Sequence, residues 1–136
     1  MTSTVTDQAA VNREALKRGY EAFQSGNMDL LRNELFHPDI VWHNPGHNQF
    51  SGDVKGADAV IDLFVRQFEV TGGFTVEVHD LLATDEHAVA IATISGERDG
   101  TRISDPYTHV CHFRDGKLVE AWIVEFDPAK TDALFA

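Results

Sequence analysis

A single cysteine, Cys111, excludes any intrachain disulfide and leaves the fold to rest on its core. That usage fits a reducing compartment, and a bacterial cytoplasm is the expected location. No apolar run approaches the ~20 residues that cross a bilayer. Met1 to Gln8 lack both a basic start and an apolar centre, so no signal peptide is read there. Basic residues are scarce: 11 Lys and Arg stand against 22 Asp and Glu, a formal charge of −11. Such a chain repels phosphate backbones and anionic lipid surfaces, so neither nucleic acid nor membrane is an expected partner. Repeats, linkers and low-complexity segments are missing too. The two Arg-Asp-Gly copies, at Arg98 and Arg114, read as hairpin tips.

The chain does have enough apolar material for one domain over residues 1–136. The hydrophobic share is 43%, and a chain of this length buries about two thirds of its unfolded surface. Val11, Ala15, Leu16, Gly19, Tyr20 and Phe23 recur at helical spacing and predict a helix from about Asp7 to Ser25. Thr6 or Asp7 can cap its start, and Gly26 ends it. A short helix near Met28 to Glu34 stops before Pro38. Ile40 to His43 reads as a strand running into a Pro-Gly turn and a polar loop. Val60, Ile61, Phe64, Val65 and Phe68 then mark a helix over roughly Ala57 to Val70.

Four strands come next. Phe74, Val76 and Val78 alternate with polar neighbours. Ala88 to Ile94 is apolar on both faces and reads as central. Ile103 to Phe113 and Lys117 to Phe126 flank Asp115-Gly116, a two-residue hairpin signal. The tail from Pro128 reads as a short helix. Helices followed by a strand meander give an α+β fold, with an antiparallel sheet covered on one face.

Trp42-His43-Asn44-Pro45-Gly46-His47, then Ser51-Gly52-Asp53-Val54-Lys55-Gly56 and a helix, is a distinctive order. So is Asp115-Gly116-Lys117-Leu118-Val119-Glu120-Ala121-Trp122. Together they resemble the SnoaL-like branch of the ketosteroid isomerase and nuclear transport factor 2-like superfamily, over nearly the whole chain. The resemblance implies a cone-shaped curved antiparallel sheet wrapped around about three N-terminal helices. It implies a central pocket for a small apolar or aromatic ligand, a homodimer, and proton-transfer chemistry without a cofactor.

The resemblance also directs attention to single residues. Asn44 stands where ketosteroid isomerases carry the aspartate that moves the proton. An amide accepts no proton, so it can only orient a carbonyl or a water; otherwise it is a turn residue ahead of Pro45. His109 falls where those enzymes place a protonated aspartate, so it can donate to an oxyanion or act as a base. Otherwise it is a satisfied core histidine. Tyr20 lies one residue out of register with the family's catalytic tyrosine, and core packing is its competing role. His43 has a near-neutral pKa suited to a general base, yet alternation puts it on the face opposite Trp42 and Asn44. Asp127 sits near an aspartate that activates water in limonene epoxide hydrolase, but without a matching arginine and second aspartate. Polyketide cyclases of this branch use polar residues on the last strand. This chain has Ala121 and Ile123 there, with Glu125 beyond.

Trp42, Trp122, Phe64 and Phe68 are candidates for the apolar wall, with Tyr107 and Cys111 on the His109 face of their strand. No metal site is read. Pro45-Gly46 prevents His43 and His47 from stacking on a helix, and Cys111 and His112 point to opposite faces. The reading is a pocket enzyme of the isomerase, cyclase or hydrolase type. The alternatives are a non-catalytic ligand-binding or dimeric interaction module, and a structural dimer whose cavity is filled.

Overall fold

The structure, a computed structural model, describes residues 7–136. Thr6 and most of the Met1–Gln8 stretch lie outside them. The first helix, α1, spans Gln8–Ser25. The Asp7 carboxylate caps it by accepting from the Ala10 amide at 3.2 Å. Gly26, at φ 76°, ends it and donates to the Ala22 and Phe23 carbonyls. Asn12, fully buried, fastens α1 to the rest. Its amide donates to the Thr84 and Asp85 carbonyls at 3.1 and 2.8 Å.

The expected helix from Met28 to Glu34 divides in two. A single α-turn, α2 (Met28–Leu30), passes into a π-helical turn over Leu31–Leu35. Leu31 and Leu35, four residues apart, share the face of this segment that meets the core. Strand β1 (Phe36–Asn44) starts earlier than the sequence suggests and runs through Pro38. Its pairing shifts register between Phe36 and Val41, as a proline that cannot donate to the ladder requires.

Strand β2 (Gly52–Lys55), a polar loop by its sequence, pairs with β1 at the sheet edge. Its four residues are mostly exposed and carry no apolar alternation, so only pairing reveals it. Helix α3 (Ala57–Thr71) comes next, then β3 (Phe74–Ala83), β4 (His87–Arg98), β5 (Thr101–Arg114), β6 (Lys117–Glu125) and a closing helix α4 (Pro128–Leu134).

The sheet order is β2-β1-β6-β5-β4-β3, and the sheet is curved and unclosed. It is mixed rather than wholly antiparallel, because β1 lies parallel to β6. The meander dictates directions only among strands joined by tight turns. The long connection from β1 to β6 permits a parallel pair, which no hairpin can. Both hairpin turns expected from Asp-Gly are present. Asp99 and Asp115 each adopt φ 52°, followed by Gly100 and Gly116 at 81° and 76°, the positive pair of a type I′ turn. Between these turns, Ile103, Asp105, Tyr107, His109, Cys111 and Phe113 all face inward from β5.

Helix α4 is tied down from beneath. Asp105, 1% exposed, accepts from the Asp127 amide at 3.1 Å and the Thr131 hydroxyl at 3.1 Å. From the other side, Asp132 accepts from the His47 amide at 2.8 Å and from Asn48 Nδ2 at 2.9 Å. Asp105→Ala leaves the Asp127 amide and the buried Thr131 hydroxyl without their acceptor. We expect a loss of about 2–3 kcal/mol in urea unfolding, with the m-value unchanged.

Candidate functional site

Between α1, α3 and the inner faces of β1, β5 and β6 lies a cavity of about 120 Å³. That is close to the roughly 150 Å³ of an engineered cavity known to hold benzene, so one ring fits. The wall is mostly aromatic. Trp42 meets Phe64 edge-on at 5.0 Å between centroids and tilts over His109 at 4.9 Å. Phe23, Phe36, Ile94 and Phe113 complete the apolar lining.

Three polar side chains cross this space as one unit. The Tyr20 hydroxyl lies 2.9 Å from His109 Nδ1 and 3.1 Å from the Tyr107 hydroxyl. The helical stripe aims Tyr20 inward from α1, and the two-residue period of β5 places Tyr107 and His109 on the same face. Burial lowers the His109 pKa to about 3, so the ring is neutral through the physiological range. Burial likewise raises the Tyr20 and Tyr107 pKa values. His109 Nε2 is buried and has no hydrogen-bond partner, although its residue lines the cavity.

Asn44 and Tyr107 also line the cavity. Asn44 fills its turn role as well, donating from Nδ2 to the Phe50 carbonyl at 3.0 Å. Phe68 is not in the lining; it stacks on Phe74 at 4.5 Å and supports Phe23 from behind. Cys111 is wholly buried between the two strands flanking β5, opposite Ala88 and Ala121, and burial raises its thiol pKa. Asp127 is exposed at the start of α4; its amide, not its carboxylate, is engaged.

His43 and Trp122 stand together on the outer face of the sheet, away from the cavity. Their rings stack at 5.4 Å and 13°. His43 Nδ1 lies 2.7 Å from Asp53, and Nε2 lies 2.6 Å from Glu120. Strand β1 thus carries His43 outward and Trp42 inward, as alternation demands.

The residue that sequence reasoning passes over is Glu125. It comes after Ala121 and Ile123 on the inward row of β6, and it lines the cavity. Its Oε2 is buried without a partner. Burial, then the nearby charges of Asp105 and Asp132, raise its pKa to about 7, with Thr131 offsetting part of the effect. The signal is legible in the chain: a carboxylate in an otherwise apolar inward row.

The SnoaL-like domain model matches residues 16–121. The chain belongs to the SnoaL-like domain family. It is 32% identical to Bal32a from a soil-derived mobile gene cassette, covering 95% of this chain and 99% of that one at a TM-score of 0.90. TerC, co-crystallized with polyporic acid, is 20% identical over 93% of this chain and 99% of its own, with a TM-score of 0.79. A LEH-like epoxide hydrolase from M. tuberculosis is 19% identical over 96% of this chain and 89% of its own, with a TM-score of 0.76. The last two likenesses establish the shared fold. No curated protein sequence matches. SnoaL-like domains are known for small-molecule pockets, and this one has its cavity between helices and sheet. No helix among the described residues is long and apolar enough to cross a membrane.

The outer cluster of this SnoaL-like domain has a measurable signature. The hydrogen bond to Glu120, then that to Asp53, raises the His43 pKa, against the opposing effect of burial. A raised histidine pKa stabilises the fold fully below the unfolded value of about 6.5, and that stability is lost as pH climbs through the folded value. Glu120→Gln is therefore expected to lower the unfolding midpoint more at pH 6 than at pH 9. The groups are partly exposed, so the difference should stay within about 1 kcal/mol.

Proposed function

We propose that this SnoaL-like domain is a cofactor-independent proton-transfer enzyme acting on a small apolar compound with a carbonyl or hydroxyl group. Isomerisation, cyclisation and hydration or hydrolysis belong to this class. The observation that carries the proposal is His109 Nε2, a buried polar atom left unpaired in an aromatic cavity. Such an atom costs about 1–3 kcal/mol unless something completes its bonding. A ligand oxygen does so.

The direction of the hydrogen-bond chain supports a donor role. If Tyr107 donates to Tyr20 and Tyr20 donates to His109 Nδ1, the ring proton sits on Nε2, the buried nitrogen without a partner. With a ligand oxygen there, every hydrogen of the three side chains is used. A neutral histidine with so low a pKa is a poor base at neutral pH. It serves better by holding a carbonyl oxygen as negative charge develops on it. Asn44 and the aromatic wall then orient the ring. The non-catalytic binding module would use the same cavity without turnover.

Cyclohexanone and methylenecyclohexane differ only in carbonyl oxygen against methylene, and both suit the cavity's size. Wild-type protein should bind the ketone more tightly, as followed by tryptophan fluorescence. His109→Ala should erase that preference, a change of about tenfold. An unchanged preference would remove His109 from the site.

The homodimer belongs to this proposal too. Ile91, Val124 and Phe126 are apolar and 37%, 55% and 71% exposed on the side of the sheet away from the helices. Light scattering should return twice the chain mass of 15.1 kDa, and Phe126→Glu should shift it towards the monomer.

A further inference from the structure

We propose that Glu125 is the group that carries the substrate proton in this cavity, working across from the His109 ring that holds the substrate oxygen. This rests on the pocket-enzyme reading above and assigns the step which that reading leaves without a residue. Neither Asn44 nor neutral His109 can accept a proton readily at neutral pH. Nor can Ala121 and Ile123, which fill the positions of the last strand where polyketide cyclases of this branch do acid-base work. The carboxyl group comes one pleat further along the same inward row.

The placement is right for the chemistry. His109 pairs with Ile123 across β5 and β6, and Glu125 pairs with Tyr107. Glu125 is therefore the diagonal neighbour of His109 on the inner face, about 7–8 Å away at the backbone end of the side chain. A carbonyl oxygen contacting Nε2 and its adjacent carbon contacting the carboxylate fit between them, with about 3 Å allowed for each contact. His109 Nε2 and Glu125 Oε2 are both buried and unpaired. They are the two side-chain atoms of this kind among the described residues, and both residues line the same cavity.

The step balances without any further reagent. The Glu125 carboxylate takes a proton from the carbon next to the carbonyl. The electron pair of the broken C–H bond forms a carbon–carbon double bond, and the carbonyl π pair moves to oxygen. The His109 Nε2–H hydrogen bond steadies that enolate oxygen. Returning the proton to the same carbon, or to a conjugated one, completes exchange or isomerisation. The substrate class is thus a one-ring apolar ketone with a hydrogen beside the carbonyl, or its enol or phenol form.

Proton affinity at Glu125 is tuned by its surroundings. Asp105 on β5 and Asp132 on α4 face it and disfavour its charge. Tyr20, Tyr107 and His109 also line the cavity and stay neutral around pH 7. His47, whose amide binds Asp132, is exposed. Burial does most to bring the carboxyl group to about 7, and the two aspartates that fasten α4 add to that effect.

The test is exchange of the α-hydrogens of cyclohexanone for deuterium in D₂O, followed by proton NMR, with binding of the same ketone measured alongside by fluorescence. Wild-type protein should accelerate exchange, with a rate that rises with pH through about 7. Glu125→Gln keeps the shape of the side chain. It should bind the ketone as well as wild type and lose at least about 100-fold in exchange rate. Asp132→Asn removes one repelling charge and should move the midpoint of the pH profile down; this arm decides the matter if Glu125→Gln does not fold. Equal exchange by Glu125→Gln and wild type, or an Asp132→Asn profile that does not move, overturns the role of Glu125 and leaves the pocket-enzyme reading standing. Wild-type binding without exchange overturns proton transfer at Glu125 and leaves a binding module. A wild-type protein that neither binds nor exchanges overturns both.

Discussion

Everything in the interior depends on the register of β5. Its inward row mixes apolar packing residues with Asp105, Tyr107 and His109. A slip of one residue would turn all of them to the outside and bring Arg102, Ser104 and His112 inward. Two type I′ turns prevent this by fixing both ends of the strand. Each turn holds two residues and pairs Arg98 with Thr101 and Arg114 with Lys117, and past the second turn a one-residue shift between the His112 and Phe113 pairings resets β6. The position of α4 depends on the same register, since Asp105 is its anchor.

The sheet makes opposite use of one residue type on its two faces. His109, inside, loses its proton readily because burial strips the charged ring of water. His43, outside, holds its proton because two carboxylates flank the ring. Carboxyl groups show the converse. Asp105 accepts two hydrogen bonds and fastens a helix, whereas Glu125 has an unpaired oxygen and is pushed towards its neutral form. Environment, rather than residue type, decides which groups lock the fold and which remain free to react.

Much of this can be read from the chain. The stripe on α1, the alternation on β5 and the Asp-Gly turns each have a local cause, so their elements appear where the spacing puts them. Alternation also exposes the tension in His43, which Trp42 and Asn44 outvote for the inner face. The features that cannot be read depend on contacts between distant segments. β2 exists because β1 offers it an edge, and the parallel β1–β6 pair because a long connection returns there. The Tyr20–His109 bond joins residues that no local pattern relates. Tyr20, one residue out of the family's register, still reaches its partner at 2.9 Å. Trp122 reads as pocket wall because it is large and aromatic; parity along β6, with Ala121 and Ile123 inward, puts it outside.

The π-helical turn at Leu31–Leu35 has a consequence for how such a cavity can change. It holds one residue more than the same turn of α-helix, and both of its leucines line the cavity. Deleting that residue would let the turn close as an α-helical one and shift the backbone that holds the two leucines, which would still share one face. The polar groups on β5 and β6 would not be touched. Here one stretch of the chamber wall is placed by a backbone turn, while its chemistry is set by side chains elsewhere. Size and reactivity can therefore evolve along separate routes, one by insertion and deletion and the other by substitution.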